Sequence, residues 1–483
     1  MTINHLRLFP SNQRNPNAAG RYVLYWMQIQ RRLEYNFALD HAAEWANKLD
    51  RPLLIFEGVR IDYPWAGPRL HAFLLQGMRE NQAACARQRQ PYFAFMERRS
   101  GEGRGLVRAL AEDACLVITD AFPAFVIREH NEHLGPLLNV PFTAVDSNGI
   151  IPLGASTKAP YSAYEFRRLM QKMFTEAYSH PPKKNALRGL KNDPFPDLSR
   201  VQRRWKPADL QDVDALLAEI RLAGSVPPAA MQGTRAAALD RLKSFVDNDL
   251  LDYAEQHNHP DLRKTSGLSP YLHFGKISAH EVVAAVLAKQ PKDWSMDGIA
   301  YNKGSREGFF KGHPSVEAFL DQMITWRETG YHYCHHVRGF DRYESLPEWA
   351  RRTLDKHASD RREYIYTLEQ FEHAQTHDPL WNAAQNQLRR EGTLHNYLRM
   401  LWGKKILEWS PDPRTALSIM IELNNKYGLD GRDPNSYTGI FWTLGRFDRP
   451  WAPERDIFGT VRYMSSENTA RKVKVKEYLR RYA

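Results

Sequence analysis

Tyr22-Val-Leu-Tyr-Trp26, a helical spacing of apolar residues from Tyr35 to Leu49, and then Pro52-Leu-Leu-Ile-Phe56 decide the fold of the N-terminal part of this 483-residue chain. Each five-residue run is too short for a stable helix and apolar throughout, which predicts a strand buried on both faces. The stretch between them is long enough to carry the chain back across a sheet as a helix, so the two strands are expected to run parallel. Working outward, a long helical stretch extends from about Arg69 to Arg87. Leu116-Val-Ile-Thr-Asp120 and Phe142-Thr-Ala-Val-Asp146 read as further strands. Strands alternating with helices imply an α/β, Rossmann-like doubly wound sheet. No GxGxxG follows the first strand, so a classical dinucleotide site is not indicated.

Beyond about residue 180 the character changes. Pro181-Pro-Lys-Lys-Asn-Ala-Leu-Arg and Lys191-Asn-Asp-Pro-Phe-Pro are rich in proline and charge and read as a connector. From about Thr234 the pattern is helical to the end. The expected organisation is an α/β domain over 1–180, a linker over 181–233 and an all-α domain over 234–483. That agrees with a length too great for one core. No apolar run reaches membrane-spanning length, and Met1-Thr-Ile-Asn-His-Leu-Arg lacks the build of a signal peptide. Cys85, Cys115 and Cys334 have no metal-ligand or disulfide spacing, so no metal site and a reducing cytoplasm are expected. Lysine and arginine exceed the acids by 67 to 56, a net charge of +11 that suits a polyanionic partner.

Three segments carry chemistry. In Lys264-Thr-Ser-Gly-Leu-Ser-Pro-Tyr-Leu-His-Phe-Gly275, Ser269 before Pro270 reads as a helix N-cap, where hydroxyls and free amides can hold phosphate. In Gly392-Thr-Leu-His-Asn-Tyr-Leu-Arg-Met-Leu-Trp402 and Lys404-Lys-Ile-Leu-Glu-Trp409, two tryptophans seven apart share a helix face, about 10 Å apart along the axis. Core packing is the common meaning of that spacing. Leu423-Asn-Asn-Lys-Tyr-Gly-Leu-Asp-Gly-Arg-Asp-Pro-Asn435 is dense in turn formers, and reads as a polar loop lining a site or as a surface loop.

Together with Asp378-Pro-Leu-Trp-Asn-Ala, these segments resemble the class II branch of the photolyase/cryptochrome family. The resemblance runs through the helical domain to Phe458-Gly-Thr-Val-Arg-Tyr-Met464 and in outline to Tyr25-Trp-Met. It implies a light-dependent lyase that repairs cyclobutane pyrimidine dimers by electron transfer from reduced FAD. Tyr253, Thr265, Ser266, Gly267, Leu268 and Ser269 would hold the FAD phosphates. Arg399 and Asp430 would form an ion pair spanning the cofactor, with Gly431, Arg432 and Asn435 beside it, and Asn424 would face flavin N5. Trp402, Trp381 and Trp409 would relay electrons outward in that order, with Tyr366 in the place of a further relay residue. Gln322, Trp326, Met400 and Trp442 would line the dimer pocket.

One departure stands out. The family carries a glutamate four positions before the residue matching Trp326, and this chain has Gln322 there. Glutamine can hydrogen-bond a thymine edge but has no carboxyl to ionise. Two alternatives follow: a cryptochrome-like light sensor, favoured by Gln322, and repair of (6-4) photoproducts, hinted at by His335-His336. Damaged double-stranded DNA is the expected partner, a monomer the expected state, and an antenna deazaflavin or folate a further cofactor whose contacts the sequence does not place.

Overall fold

The computed structural model describes residues 3–192, 194–222 and 224–483. Contacts divide the chain into two compact units, each assembled from three stretches of sequence. The first comprises Met1–Thr157, Met173–Leu242 and Leu268–Ala285. The second comprises Lys158–Lys172, Lys243–Gly267 and Val286–Ala483. The proline-rich connector over 181–233 falls in the first unit, where it includes helices Ser199–Gln202 and Val213–Glu219.

The first unit is built on one six-stranded sheet. Its strands are β1 (Leu8–Pro10), β2 (Tyr22–Met27), β3 (Leu53–Val59), β4 (Tyr92–Met96), β5 (Ala114–Asp120) and β6 (Phe142–Val145), in the order β1-β6-β5-β2-β3-β4. β2 through β6 are parallel, and β1 closes one edge antiparallel to β6. The parallel strands therefore start in the middle at β2, wind out to β4, then return to wind the other way through β5 and β6. This is the doubly wound α/β arrangement the strand–helix alternation predicts. β1 and β4 were not anticipated, although Tyr92-Phe-Ala-Phe-Met96 is as apolar as the other strands.

Local chemistry sets the element ends. Asn36 accepts from the Ala38 and Leu39 amides and starts helix Phe37–Leu49. Pro68 opens the helix Pro68–Arg87, where its missing N–H costs nothing. At the C-terminal ends of β2 and β5, the buried Asp120 carboxylate accepts the amides of Gln28, Ile29 and Gln30 at 2.8–2.9 Å and the Tyr25 hydroxyl at 2.8 Å. One side chain thus stitches the turn after β2 to the neighbouring strand.

The second unit is helical, and the described residues contribute no named strand to it. Among the described residues no helix is long and apolar enough to cross a membrane.

Candidate active site

The residues singled out in the C-terminal half lie in the second unit, apart from Leu268 and Ser269, which belong to the first. Helix Asn396–Trp409 carries Arg399, helix Pro413–Tyr427 carries Asn424, and the loop that follows carries Asp430. Arg399 donates through Nη1 to Asn424 Oδ1 at 2.9 Å and through Nη2 to both Asp430 oxygens at 3.1 Å. Asn424, only 2% exposed, gives its Nδ2 hydrogens to Asn425 Oδ1 at 3.1 Å and Ser436 Oγ at 2.8 Å. With both N–H groups committed, Asn424 can offer a ligand only the second lone pair of its carbonyl. It is an acceptor matched to an N–H donor.

The loop after Tyr427 is shaped by close backbone approach. A Cβ on Gly431 would lie 2.7 Å from the Asn424 carbonyl oxygen and 3.0 Å from Asn425 Cα. Arg432 turns back into the protein: Nη2 donates to the Gly428 carbonyl at 3.2 Å, Nη1 to that of Asn425, and its amide to Asn425 Oδ1. Its guanidinium satisfies the last carbonyls of the preceding helix, so this side chain secures the loop. Asp433 caps helix Pro434–Thr443 and accepts from Tyr331 at 2.6 Å. Asn435, in that first turn, is exposed. Gly330 makes the packing possible, because a Cβ there would meet Asn435 Cα and the Pro434 oxygen at 3.0 Å.

The proposed phosphate residues are placed unevenly. Tyr253 is 7% exposed, stacked on His257 at 4.4 Å and edge-on to Phe245 and Phe319. Thr265 and Ser266 are half-buried, and Gly267 takes φ +65°. The next helix runs Ser269–His273 with Leu268 at the cap position, so Ser269 is its first residue and not the cap its spacing before Pro270 suggests. Fray at a short helix end accounts for a one-residue difference. Near this region the spacing reading missed His395. It precedes helix Asn396–Trp409, is 9% exposed, and both ring nitrogens are buried without a hydrogen-bond partner. Burial, with a smaller effect of the His257 charge, lowers its pKa to about 4. A buried unpaired polar ring costs about 1–3 kcal/mol, which a polar ligand would relieve.

The tryptophans form a buried series. Trp402, Trp381 and Trp409 are 2%, 0% and 3% exposed. Trp402 donates its indole N–H to Gln385 at 2.9 Å, and Trp381 donates to the Trp402 carbonyl at 3.0 Å. The Trp381 and Trp409 rings lie 6.1 Å apart, and Tyr366 lies 5.8 Å from Trp409. Asp378 places Trp381 by capping helix Pro379–Glu391 through the Leu380 and Trp381 amides.

Gln322 and Trp326 are half-buried on a π-helical turn, Asp321–Trp326, leading into helix Arg327–His336. Such turns occur often at functional sites. Asp321 beside Gln322 is no substitute for the missing carboxyl: Arg167 holds both its oxygens, at 2.9 and 3.2 Å. Met400 is half-buried next to Arg399. Trp442, also half-buried, has Lys404 Nζ and the Arg462 guanidinium 5.4 and 5.3 Å from its ring centre. Lys404 is fully buried, donates to the Thr443 carbonyl at 2.6 Å, and is held by burial at a pKa of about 7.

A doubly wound α/β unit accompanied by a helical unit with an arginine–carboxylate–amide cluster and a buried tryptophan series is a photolyase-type architecture. A class III photolyase from Agrobacterium tumefaciens shares the fold, with a TM-score of 0.70 at 17% identity over 98% of this chain and 87% of that one. No protein-family model matches the chain. Among curated proteins, the deoxyribodipyrimidine photo-lyase of Methanothermobacter thermautotrophicus is 34% identical, covering 99% of this chain and 98% of its own. That of Oryza sativa subsp. japonica is 36% identical over 95% and 87%, and that of Potorous tridactylus 31% over 95% and 80%. The chain belongs to the deoxyribodipyrimidine photolyase family, a family of enzymes.

Proposed function

We propose that the chain repairs cyclobutane pyrimidine dimers in double-stranded DNA under blue light, with FAD held in its helical unit. The observation that carries this reading is the Arg399–Asn424–Asp430 cluster, whose arginine shares a helix with Trp402 and Trp409 of the buried tryptophan series. Bound and reduced, FAD supplies the light-excited electron that opens the cyclobutane ring. The chain's own part is positioning. The second lone pair of Asn424 Oδ1 accepts an N–H at the flavin edge, while Arg399 and Asp430 hold each other and fix that carbonyl. Tyr253, Thr265, Ser266 and the unpartnered His395 ring supply polar groups for the nucleotide, and Trp402, Trp381 and Trp409 connect the site toward the surface. Trp326 and Trp442 offer flat faces for a dimer flipped out of the duplex, and Gln322 offers an amide to its carbonyl edge.

The test is repair of a dimer-containing duplex by FAD-loaded protein, with and without illumination. Light-dependent return of intact pyrimidines supports repair. Normal flavin photoreduction with no repair favours the light-sensor reading to which Gln322 points.

A further inference from the structure

We propose that His377 is the proton acceptor for Tyr366 when Tyr366 yields an electron to Trp409, so that this pair terminates the electron path at the surface. The inference rests on the relay reading above. Tyr366 Oη and His377 Nδ1 are 2.7 Å apart, and the His377 backbone amide donates to the same phenol oxygen at 3.0 Å. That second bond assigns the first. An oxygen already accepting an amide hydrogen, with its own hydrogen to place, donates it to Nδ1, so His377 is the Nε2–H tautomer. The ring is clamped on its other sides, stacked on Tyr364 at 3.8 Å and edge-on to Trp409 at 4.9 Å. Its backbone leads into the Asp378 cap that positions Trp381. Tyr366 also donates its amide to the Trp409 carbonyl at 3.1 Å.

The step balances without a further reagent. The oxidant is a photoexcited oxidised flavin, from which an electron vacancy reaches Trp409 by way of Trp402 and Trp381. One electron leaves the Tyr366 ring and restores neutral Trp409. The phenol O–H bond breaks, its proton forms an N–H bond at Nδ1, and a neutral tyrosyl radical and an imidazolium remain. A base within hydrogen-bond reach is what such a transfer needs. His377 is exposed, so the proton can pass on to water, whereas Trp381 and Trp402 are sealed in the interior. Reversal then requires the proton back, which holds the charge separation.

Flash photolysis of FAD-loaded protein reads this directly. Wild type should show a tryptophan radical giving way to a tyrosyl radical, more slowly in D2O. His377→Asn keeps an acceptor but removes the base. It should cut the tyrosyl yield at least tenfold and prolong the tryptophan radical, as Tyr366→Phe should. Wild-type tyrosyl yield and rate in His377→Asn would overturn the proposal, as would absence of any tyrosyl radical in wild type. Trp402→Phe separates the two readings: if it leaves radical formation intact, the relay itself is wrong. An independent measurement needs no flavin. Nitrogen NMR of histidine-labelled protein at high pH should find His377 Nδ1 unprotonated, and a proton on Nδ1 in that neutral ring would overturn the assignment.

Discussion

Trp402 shows how a single side chain serves two readings at once. It is buried and hydrogen-bonded to Gln385, as a core residue should be, and it is also the first member of the proposed relay. Trp402→Phe keeps an apolar ring and leaves Gln385 Oε1 without its donor. It should lower the rate of flavin photoreduction by at least tenfold, while repair by chemically reduced enzyme stays within about twofold. Gln322 invites a second substitution. Gln322→Ala should weaken binding of dimer-containing duplex by about 1–3 kcal/mol through an unpaired carbonyl, and leave undamaged duplex bound as before. Gln322→Glu should hold or raise the repair yield per absorbed photon. Lys404 gives a pH signature. Its pKa is about 7 when folded, against 10.5 for an ordinary lysine. Between those values the unfolded chain binds a proton that the folded chain does not, so this group makes stability rise with pH from about 7 to about 10.5. Below that window the full cost of a buried charge is present. Lys404→Met should therefore gain on the order of a few kcal/mol near pH 6, a gain that fades above pH 10 in denaturant titrations across pH. Arg399, Asn424 and Asp430 were named through the family resemblance of the segments that carry them, not through spacing, and the structure hydrogen-bonds them to one another. His395 and Lys404 were not, since neither burial nor a missing partner has a local signature.

At the scale of elements, the sequence revealed what periodicity can reveal. The strands Tyr22–Met27, Leu53–Val59, Ala114–Asp120 and Phe142–Val145 and the helices Phe37–Leu49 and Pro68–Arg87 fall where the spacing predicts them, whereas the equally apolar Tyr92–Met96 was missed and Ser269 lies one residue inside its helix. The π-helical turn at Asp321–Trp326 left no trace, because Phe319-Leu-Asp-Gln-Met-Ile-Thr-Trp326 is an unremarkable helical string. Gly330, one turn further on, packs against the first turn of helix Pro434–Thr443 with no room for a Cβ. Gly330→Ala should destabilise the fold by about 1–3 kcal/mol, seen as a lower urea midpoint, because Asn435 Cα and the Pro434 carbonyl are backbone and cannot swing aside. Pro434 and Asn435 follow directly on the loop carrying Asp430, so the same variant should also loosen retention of the proposed FAD.

For the whole molecule, the excess of 11 basic charges predicts that binding to undamaged duplex falls steeply with salt, with a slope on log–log axes equal to about 0.9 times the number of phosphates neutralised. A flat salt dependence in a filter-binding or anisotropy titration would remove charge as the basis of DNA affinity. The division of the chain into units was the least legible feature. Sequence composition suggests contiguous blocks, whereas each unit draws on three separated stretches, and nothing in Lys158–Lys172 signals that it belongs with residues far downstream. That interleaving has a consequence in time. Arg167 emerges from the ribosome 154 residues ahead of Asp321, the carboxylate that neutralises it. At about 5–20 residues per second, the arginine waits roughly 8–30 s for its counter-charge. The helix Ala163–Ser179 must spend that interval solvated or shielded by a chaperone, and slowing translation between the two positions should lengthen the nascent chain's sensitivity to protease.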